Sequence, residues 1–368
     1  MSKLLIAAVV LLFLSSGYPE VIGSHPRVSA AVATRAEEYP LPVLAYYYIW
    51  FTPTSWDRAK TDLPTLGTYS SDETSIMRKH IRLAKETGID GFIVSWKHTS
   101  DLTSRLRKLA TVAEEEDFKL AIIYQGLDFY RDPLTAERLR HDIAFFADEF
   151  AANEVFLIWD RPVVIVSGTW KFSNEELAWI AEPVASKLHV LASERNVAGI
   201  ERLPASFAGN AYYWSSVNPE TYPDYPGKLV EMGQSVHRRG GLWLAPAAPG
   251  FDARLVGGTT VVERLGGATL RREFAAAVAS SPDAVAIISW NEFSENSHIE
   301  PSSNFGSSAL RTLADILGTQ IGEGQLDSSS SGDRGSYAWR LPLLLIGLVG
   351  LAAAAAVIVR RSADDKAA

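Results

Sequence analysis

The feature that most constrains this chain is a repeated switch of hydrophobic period between residues 43 and 290. Short apolar runs at 43–51, 90–96, 119–125, 163–167, 189–193, 210–214, 242–247 and 284–290 read as strands. Amphipathic stretches at 72–87, 102–116, 135–150, 175–186, 229–239 and 270–280 read as helices. The first of these places Ile76, His80, Ile81 and Ala84 at helical spacing and stops at Gly88. A strand that is apolar on both faces must be covered on both faces, which a parallel sheet under helices provides. Strand–helix units in this number, over roughly 250 residues, predict a closed (β/α)8 TIM barrel of the α/β class. A doubly wound open sheet is the alternative. No Gly-x-Gly-x-x-Gly follows the first strand, however, no Walker-type loop occurs, and no fixed-period repeat is present.

Two apolar segments lie outside this pattern. Residues 4–14 form an unbroken apolar run after Lys3, with small residues downstream at Ala31-Val32-Ala33. A bilayer span needs about 20 residues, so this run has the length of a secretory leader, expected over residues 1–33. Residues 341–359 are apolar and uncharged, flanked by Tyr337, Trp339 and Arg360-Arg361. They predict a single transmembrane helix with its flanks at 337–361, and the positive-inside rule puts the 362–368 tail in the cytoplasm. Polar residues 318–336, including Ser328-Ser329-Ser330-Ser331, read as a flexible tether. The domain expected outside the cell, at the cell membrane, is then 34–317.

Composition excludes several chemistries. The 35 Lys+Arg against 43 Asp+Glu give a net charge of −8, unsuited to a phosphate backbone, so no nucleic-acid partner is expected. The absence of cysteine removes disulfides, thiolate metal sites and a cysteine nucleophile. The 7 histidines show no His-Glu-x-x-His, and His80 and His141 fall mid-helix, where they read as packing or surface residues. No metal and no cofactor are expected. A Gly-x-Ser-x-Gly elbow is also missing.

In a barrel the active site forms where strands end. Those ends, with the residues flanking them, supply the substrate-binding candidates Tyr48, Trp50, Trp96, Tyr124, Gln125, Tyr213, Trp214, Asp252, Trp290, Asn291 and His298. Aromatics and amides dominate, as a sugar cleft requires: rings stack on apolar sugar faces and amides orient hydroxyls. Glu292 and Glu295 follow the last strand, three positions apart. In a turn-like backbone such a pair approaches to about 5–6 Å at Cβ. Two carboxyls at short range ionise unequally, which is what an acid/base pair in glycoside cleavage needs. A Glu-x-x-Glu on an ordinary surface is solvated and inert; its place at the last strand exit makes Glu292 and Glu295 the catalytic candidates.

The segment Trp290-Asn291-Glu292 through Ile299-Glu300-Pro301 resembles the signature of glycoside hydrolase family 99, approximately Asn-Glu-Trp-x-Glu-Gly-x-x-Ile-Glu-Pro. A second similar block comprises the Tyr46-Tyr47-Tyr48-Ile49-Trp50-Phe51 strand, Leu66-Gly67-Thr68-Tyr69-Ser70-Ser71, Gly88-Ile89-Asp90-Gly91 and Val94-Ser95-Trp96. A third is Pro249-Gly250-Phe251-Asp252 with Arg264 downstream. The resemblance runs over about residues 43–317. It implies a barrel that cuts α-mannosidic linkages inside a chain with retention and without a metal. It further implies that Glu292 is the base on the sugar's 2-hydroxyl, giving a 1,2-anhydro sugar, and that Glu295 is the acid/base. The chain departs from the family in lacking His-x-Glu-Pro-Tyr after the third strand, where Tyr124-Gln125-Gly126-Leu127-Asp128 stands. Phe293 replaces a Trp and Asn296 a Gly. A non-catalytic carbohydrate-binding barrel and a transglycosylase on envelope glycans are therefore the alternatives to an endo-glycosidase with an oligo- or polysaccharide substrate.

Overall fold

The computed structural model describes residues 41–322 apart from 59, 129, 219 and 220. The expected leader, the transmembrane helix, the tail and the tether beyond residue 322 lie outside the described residues. Among the described residues no helix is long and apolar enough to cross a membrane.

Eight parallel strands close into a barrel, as the alternating pattern predicts. They are β1 (Val43–Tyr48), β2 (Gly91–Trp96), β3 (Lys119–Tyr124), β4 (Val163–Val166), β5 (His189–Ala192), β6 (Gly209–Ala211), β7 (Leu242–Ala247) and β10 (Ala284–Ile287). β1 pairs with both β2 and β10, which closes the ring. The helices are α1 (Thr74–Thr87), α2 (Ser100–Glu115), α3 (Ala136–Phe150), α4 (Asn174–Ala181), α5 (Val197–Glu201), α6 (Tyr225–Arg238), α7 (Ala268–Ala279) and α8 (Ser308–Leu317). Their ends follow local chemistry. Gly88 ends α1 in the left-handed region at φ 97°, and its N–H reaches the carbonyls of Ala84 and Lys85. Thr99 and Thr135 cap α2 and α3 through their side-chain oxygens, and Ser173 with Glu176 forms a capping box on α4.

Successive side chains of a strand point to opposite faces. Leu44, Tyr46 and Tyr48 of β1 join Ile93, Ala121, Ile123, Ile165 and Leu244 inside the barrel. Val43, Ala45 and Tyr47 join Phe92, Val94, Trp96, Leu120, Ile122 and Tyr124 in the layer between barrel and helices. This parity decides which strand-end residues can meet a ligand.

Three elements escape the sequence pattern. α5 is too short for a period to register, α8 follows the last strand, and β8 (Phe251–Asp252) pairs with β9 (Val261–Val262) as a separate antiparallel ribbon. Gly250 leads into β8 at φ +157°, where a Cβ would lie 2.7 Å from Arg264 Cγ and 2.8 Å from the Val262 carbonyl oxygen. Only glycine permits that approach.

Candidate active site

The loop leaving β10 is folded back on itself by its own backbone. Ser289 N–H donates to the Ser297 carbonyl at 2.8 Å, and Ile299 N–H donates to the Ser289 carbonyl at 2.9 Å. Ser289 Oγ accepts Glu292 N–H at 2.8 Å. From the β8 side, Asp252 N–H donates to the Glu295 carbonyl at 2.7 Å. Arg264 Nη2 donates to the carbonyls of Asn296 and His298 at 2.9 and 2.8 Å. Asn296 sits at φ 51°, which explains its place where the family pattern has glycine: asparagine tolerates the left-handed region better than most side-chain-bearing residues. Phe293 is buried, stacked on His298 at 4.1 Å and edge-on to Trp56 at 5.6 Å, so a ring here serves packing.

Glu292 and Glu295 thus stand at the strand-end mouth of the barrel. Burial pushes the Glu292 carboxyl well above the ordinary value, and the charge of Glu295 pushes it further; the Ser294 N–H and Lys60 pull the other way. Burial also raises Glu295, with Arg131 opposing. Glu292 Oε1 accepts Ser294 N–H at 2.9 Å, whereas the Glu295 carboxyl has no hydrogen-bond partner among the described residues. Two raised carboxyls close enough to feel each other hold one proton between them over a wide pH range.

Tyr48 and Tyr213 complete the group. Their hydroxyls share a short hydrogen bond; burial raises both phenols, Tyr213 and then the two glutamates raise Tyr48 further, and Glu295 raises Tyr213 while its bond to Tyr48 opposes. Tyr213 also meets Tyr46 edge-on at 4.7 Å, and the buried Tyr46 hydroxyl has no partner among the described residues. Trp50 stands beside Tyr48 with ring centroids 4.4 Å apart and is 41% exposed at the rim. Gln125 is half-buried and takes the parity of the inner face; its Nε2 donates to Ser95 Oγ at 3.2 Å and its Oε1 accepts from Ser167 Oγ at 3.5 Å.

The side chains of the other expected binding residues are engaged in packing or in hydrogen bonds within the protein. Trp96, Tyr124 and Trp290 are fully buried on the outward parity, in the layer against the helices. Trp214 stacks with Tyr212 against that same outer layer. Asn291 spends its amide on the backbone of Tyr48, at 2.8 Å to the N–H and 3.0 Å to the carbonyl. The Asp252 carboxylate is held by Arg254 at 2.9 and 2.6 Å. His298 is buried with Nε2 3.1 Å from Asp62 Oδ2, and burial pushes its pKa down to about 4 against the pull of Asp62.

Several neighbours of the site carry no motif. Lys60 and Arg131 come from long loops and act on Glu292 and Glu295 only through charge. Behind the site, Glu300 takes Tyr69 O–H at 2.8 Å and meets His80 Nε2 at 3.1 Å; His80 Nδ1 meets Tyr47 OH at 3.0 Å. His80 therefore belongs to a buried polar chain, and Glu300 is closed to solvent. One further group runs against the expectation of no metal cluster: His98, His141 and Asp142 converge outside the cleft. Two surface hollows, one lined by Gln234, His237 and Ser281 and one by Asp160, Arg161 and Lys187, precede strands and so open on the face opposite the carboxyls.

The model of glycosyl hydrolase family 99 matches residues 52–314. No curated protein matches the chain. Among solved structures, the GH99 endo-alpha-mannosidase from Bacteroides thetaiotaomicron superposes with TM-score 0.64 at 20% identity, covering 75% of this chain and 97% of that one. A "glycoside hydrolase-like protein" superposes with TM-score 0.58 at 15% identity, covering 83% and 98%. At these identities the superpositions establish the fold, and the family rests on the long sequence match. With a carboxyl pair at the mouth of the matched barrel, the chain belongs to glycosyl hydrolase family 99 and is a glycoside hydrolase acting on glycans.

Proposed function

We propose that the protein is a retaining endo-glycosidase of α-mannosidic linkages, working through a 1,2-anhydro sugar with Glu292 and Glu295 as its two proton carriers. The observation that carries this reading is the pair of raised carboxyls beside the Tyr48–Tyr213 hydroxyls. Glu292 takes the proton of the 2-hydroxyl as that oxygen bonds to C1. Glu295 gives its proton to the departing glycosidic oxygen as the C1–O bond breaks. Water then attacks C1, losing a proton to Glu295, while the opening 2-oxygen recovers its proton from Glu292. Two inversions at C1 give retention.

Burial favours a second reading in which the roles are exchanged. Glu292 is the more buried of the two, and burial favours the protonated form. Both readings are tested together. Glu292→Gln and Glu295→Gln should each lower turnover at least about 100-fold. A substrate with an activated leaving group should partly rescue the variant of whichever residue is the acid. A 2-deoxy substrate should be inert with the wild type; its cleavage at a normal rate would exclude the anhydro-sugar route.

The apolar run at 341–359, followed by Arg360-Arg361, supports a barrel held at the outer face of the cell membrane. Protease added to intact cells should release the barrel; full protection would count against this placement.

A further inference from the structure

We propose that His98, His141 and Asp142 form a binding site for one divalent transition-metal ion of the zinc class on the outer wall of the barrel. The side chain of Asp142, on α3, is fully buried, and its two oxygens have separate roles. Oδ2 accepts Tyr124 O–H at 2.7 Å and Arg138 Nε–H at 2.7 Å. Oδ1 is left to two imidazoles, with His141 Nδ1 at 3.1 Å and His98 Nδ1 at 3.4 Å. The three ligand atoms all lie within 4.8 Å of one another. Around a tetrahedral zinc with bonds of about 2.0–2.1 Å, ligand atoms stand about 3.3–3.4 Å apart. An ion therefore fits between the three side chains with small adjustments.

Packing fixes the rings that would ligate. His98 stacks on Phe145 at 3.8 Å with 14° between planes, and His141 stacks on His98 at 5.6 Å with 17°. The His98 carbonyl accepts Arg138 Nη2–H at 2.7 Å, which ties the loop after β2 to α3. Holding a ligating carboxylate by its second oxygen is the arrangement that supports metal sites elsewhere. Without an ion, His141 Nδ1–H donates to Asp142 Oδ1 at 3.1 Å; ligation through Nδ1 calls for the tautomer that carries the proton on Nε2. The side chains of His98 and His141 are 26% and 70% exposed, leaving the remaining coordination position to water. Arg138 sits on Oδ2 with half of its side chain in solvent, and Lys97 acts on Asp142 through charge without a direct contact. Imidazole with carboxylate suits zinc, nickel, copper and cobalt rather than magnesium or calcium.

The test uses the intact protein freed of metal by a chelator and titrated with zinc chloride by calorimetry, then with cobalt chloride by absorption. One ion per chain should bind, with cobalt bands of low coordination number and a rise in Tm. His98→Ala and His141→Ala should each weaken zinc at least about tenfold. Zinc should raise the Tm of His141→Ala less than it raises that of the wild type, each measured against its own metal-free Tm, since removing the ring also takes the 3.1 Å donor from the buried Asp142. Absence of one-to-one binding, or binding unchanged in both variants, would overturn the proposal and leave a hydrogen-bonded cluster only.

Discussion

Asn291 and Tyr48, 243 positions apart, exchange two hydrogen bonds in which the Asn291 side-chain amide stands in for a peptide group. β10 ends at Ile287, and Trp290 N–H still reaches the Tyr46 carbonyl at 2.8 Å. One step further the strand has gone, and the Asn291 amide continues its ladder to β1. The Tyr48 hydroxyl then meets Tyr213 beside the two glutamates. Asn291 therefore sets the position of Tyr48 through the backbone.

Asn291→Ala should orphan the Tyr48 N–H and carbonyl in a closed environment, at about 1–3 kcal/mol for each group. Chemical denaturation should report that loss, and turnover should fall with it. Unchanged stability would mean that the ladder closes in some other way.

Glu292→Gln should raise Tm in a pH-dependent manner. The folded-state pKa of Glu292 lies above its ordinary 4.5. Between those two values the folded protein binds more protons than the unfolded chain, so the wild type loses stability as pH rises. Glutamine removes that loss. The gain in Tm should be absent near pH 4 and grow towards pH 8; a constant offset would show that Glu292 is not raised.

Lys60→Met should move the acidic limb of the pH–rate profile to higher pH. Lys60 lowers the Glu292 pKa, so its removal lets Glu292 rise further. With Glu292 as the base, its ionised form is then reached only at higher pH, and rates measured below neutrality should fall more than rates above it. A profile that does not move would place Lys60 too far away to act.

Trp96→Ala and Gln125→Ala should separate stability from binding. Trp96 is fully buried against Phe145 and Phe146, and its loss should cost about 3–5 kcal/mol. Gln125 faces the cleft, so its loss should raise KM for a glycan substrate with little change in Tm. A KM effect from Trp96→Ala at full stability would put that ring in the cleft after all.

The barrel was legible because its signal is repeated: each strand is apolar throughout and each long helix has one apolar face. The carboxyl pair was legible because Glu292 and Glu295 follow the last strand at short spacing. Parity was not legible from the strand ends alone. Neighbours at one strand end do not share a face: Tyr124 and Gln125 face opposite ways, as do Ser95 and Trp96. Counting alternation back from Tyr46 and Tyr48 would have flagged Ser95 and excluded Trp96. No count could have found Lys60 or Arg131, whose nearness to the glutamates depends on how long loops fold. The grouping of His98 with Asp142 likewise depends on where the loop after β2 meets α3.

The opposed facing of Tyr124 and Gln125 bears on how such an enzyme can change. Tyr124 anchors α3 through Asp142, whereas the side chain of Gln125, its neighbour along the chain, hydrogen-bonds only Ser95 and Ser167 among the described residues. Mutations in adjacent codons would therefore be judged by different criteria, one by whether the protein persists and the other by which glycan it accepts. A lineage could replace every cleft-facing residue at the strand exits and drift to a new sugar while the wall behind stayed as it was. The missing His-x-Glu-Pro-Tyr element, on an otherwise intact barrel, is the kind of trace such drift would leave.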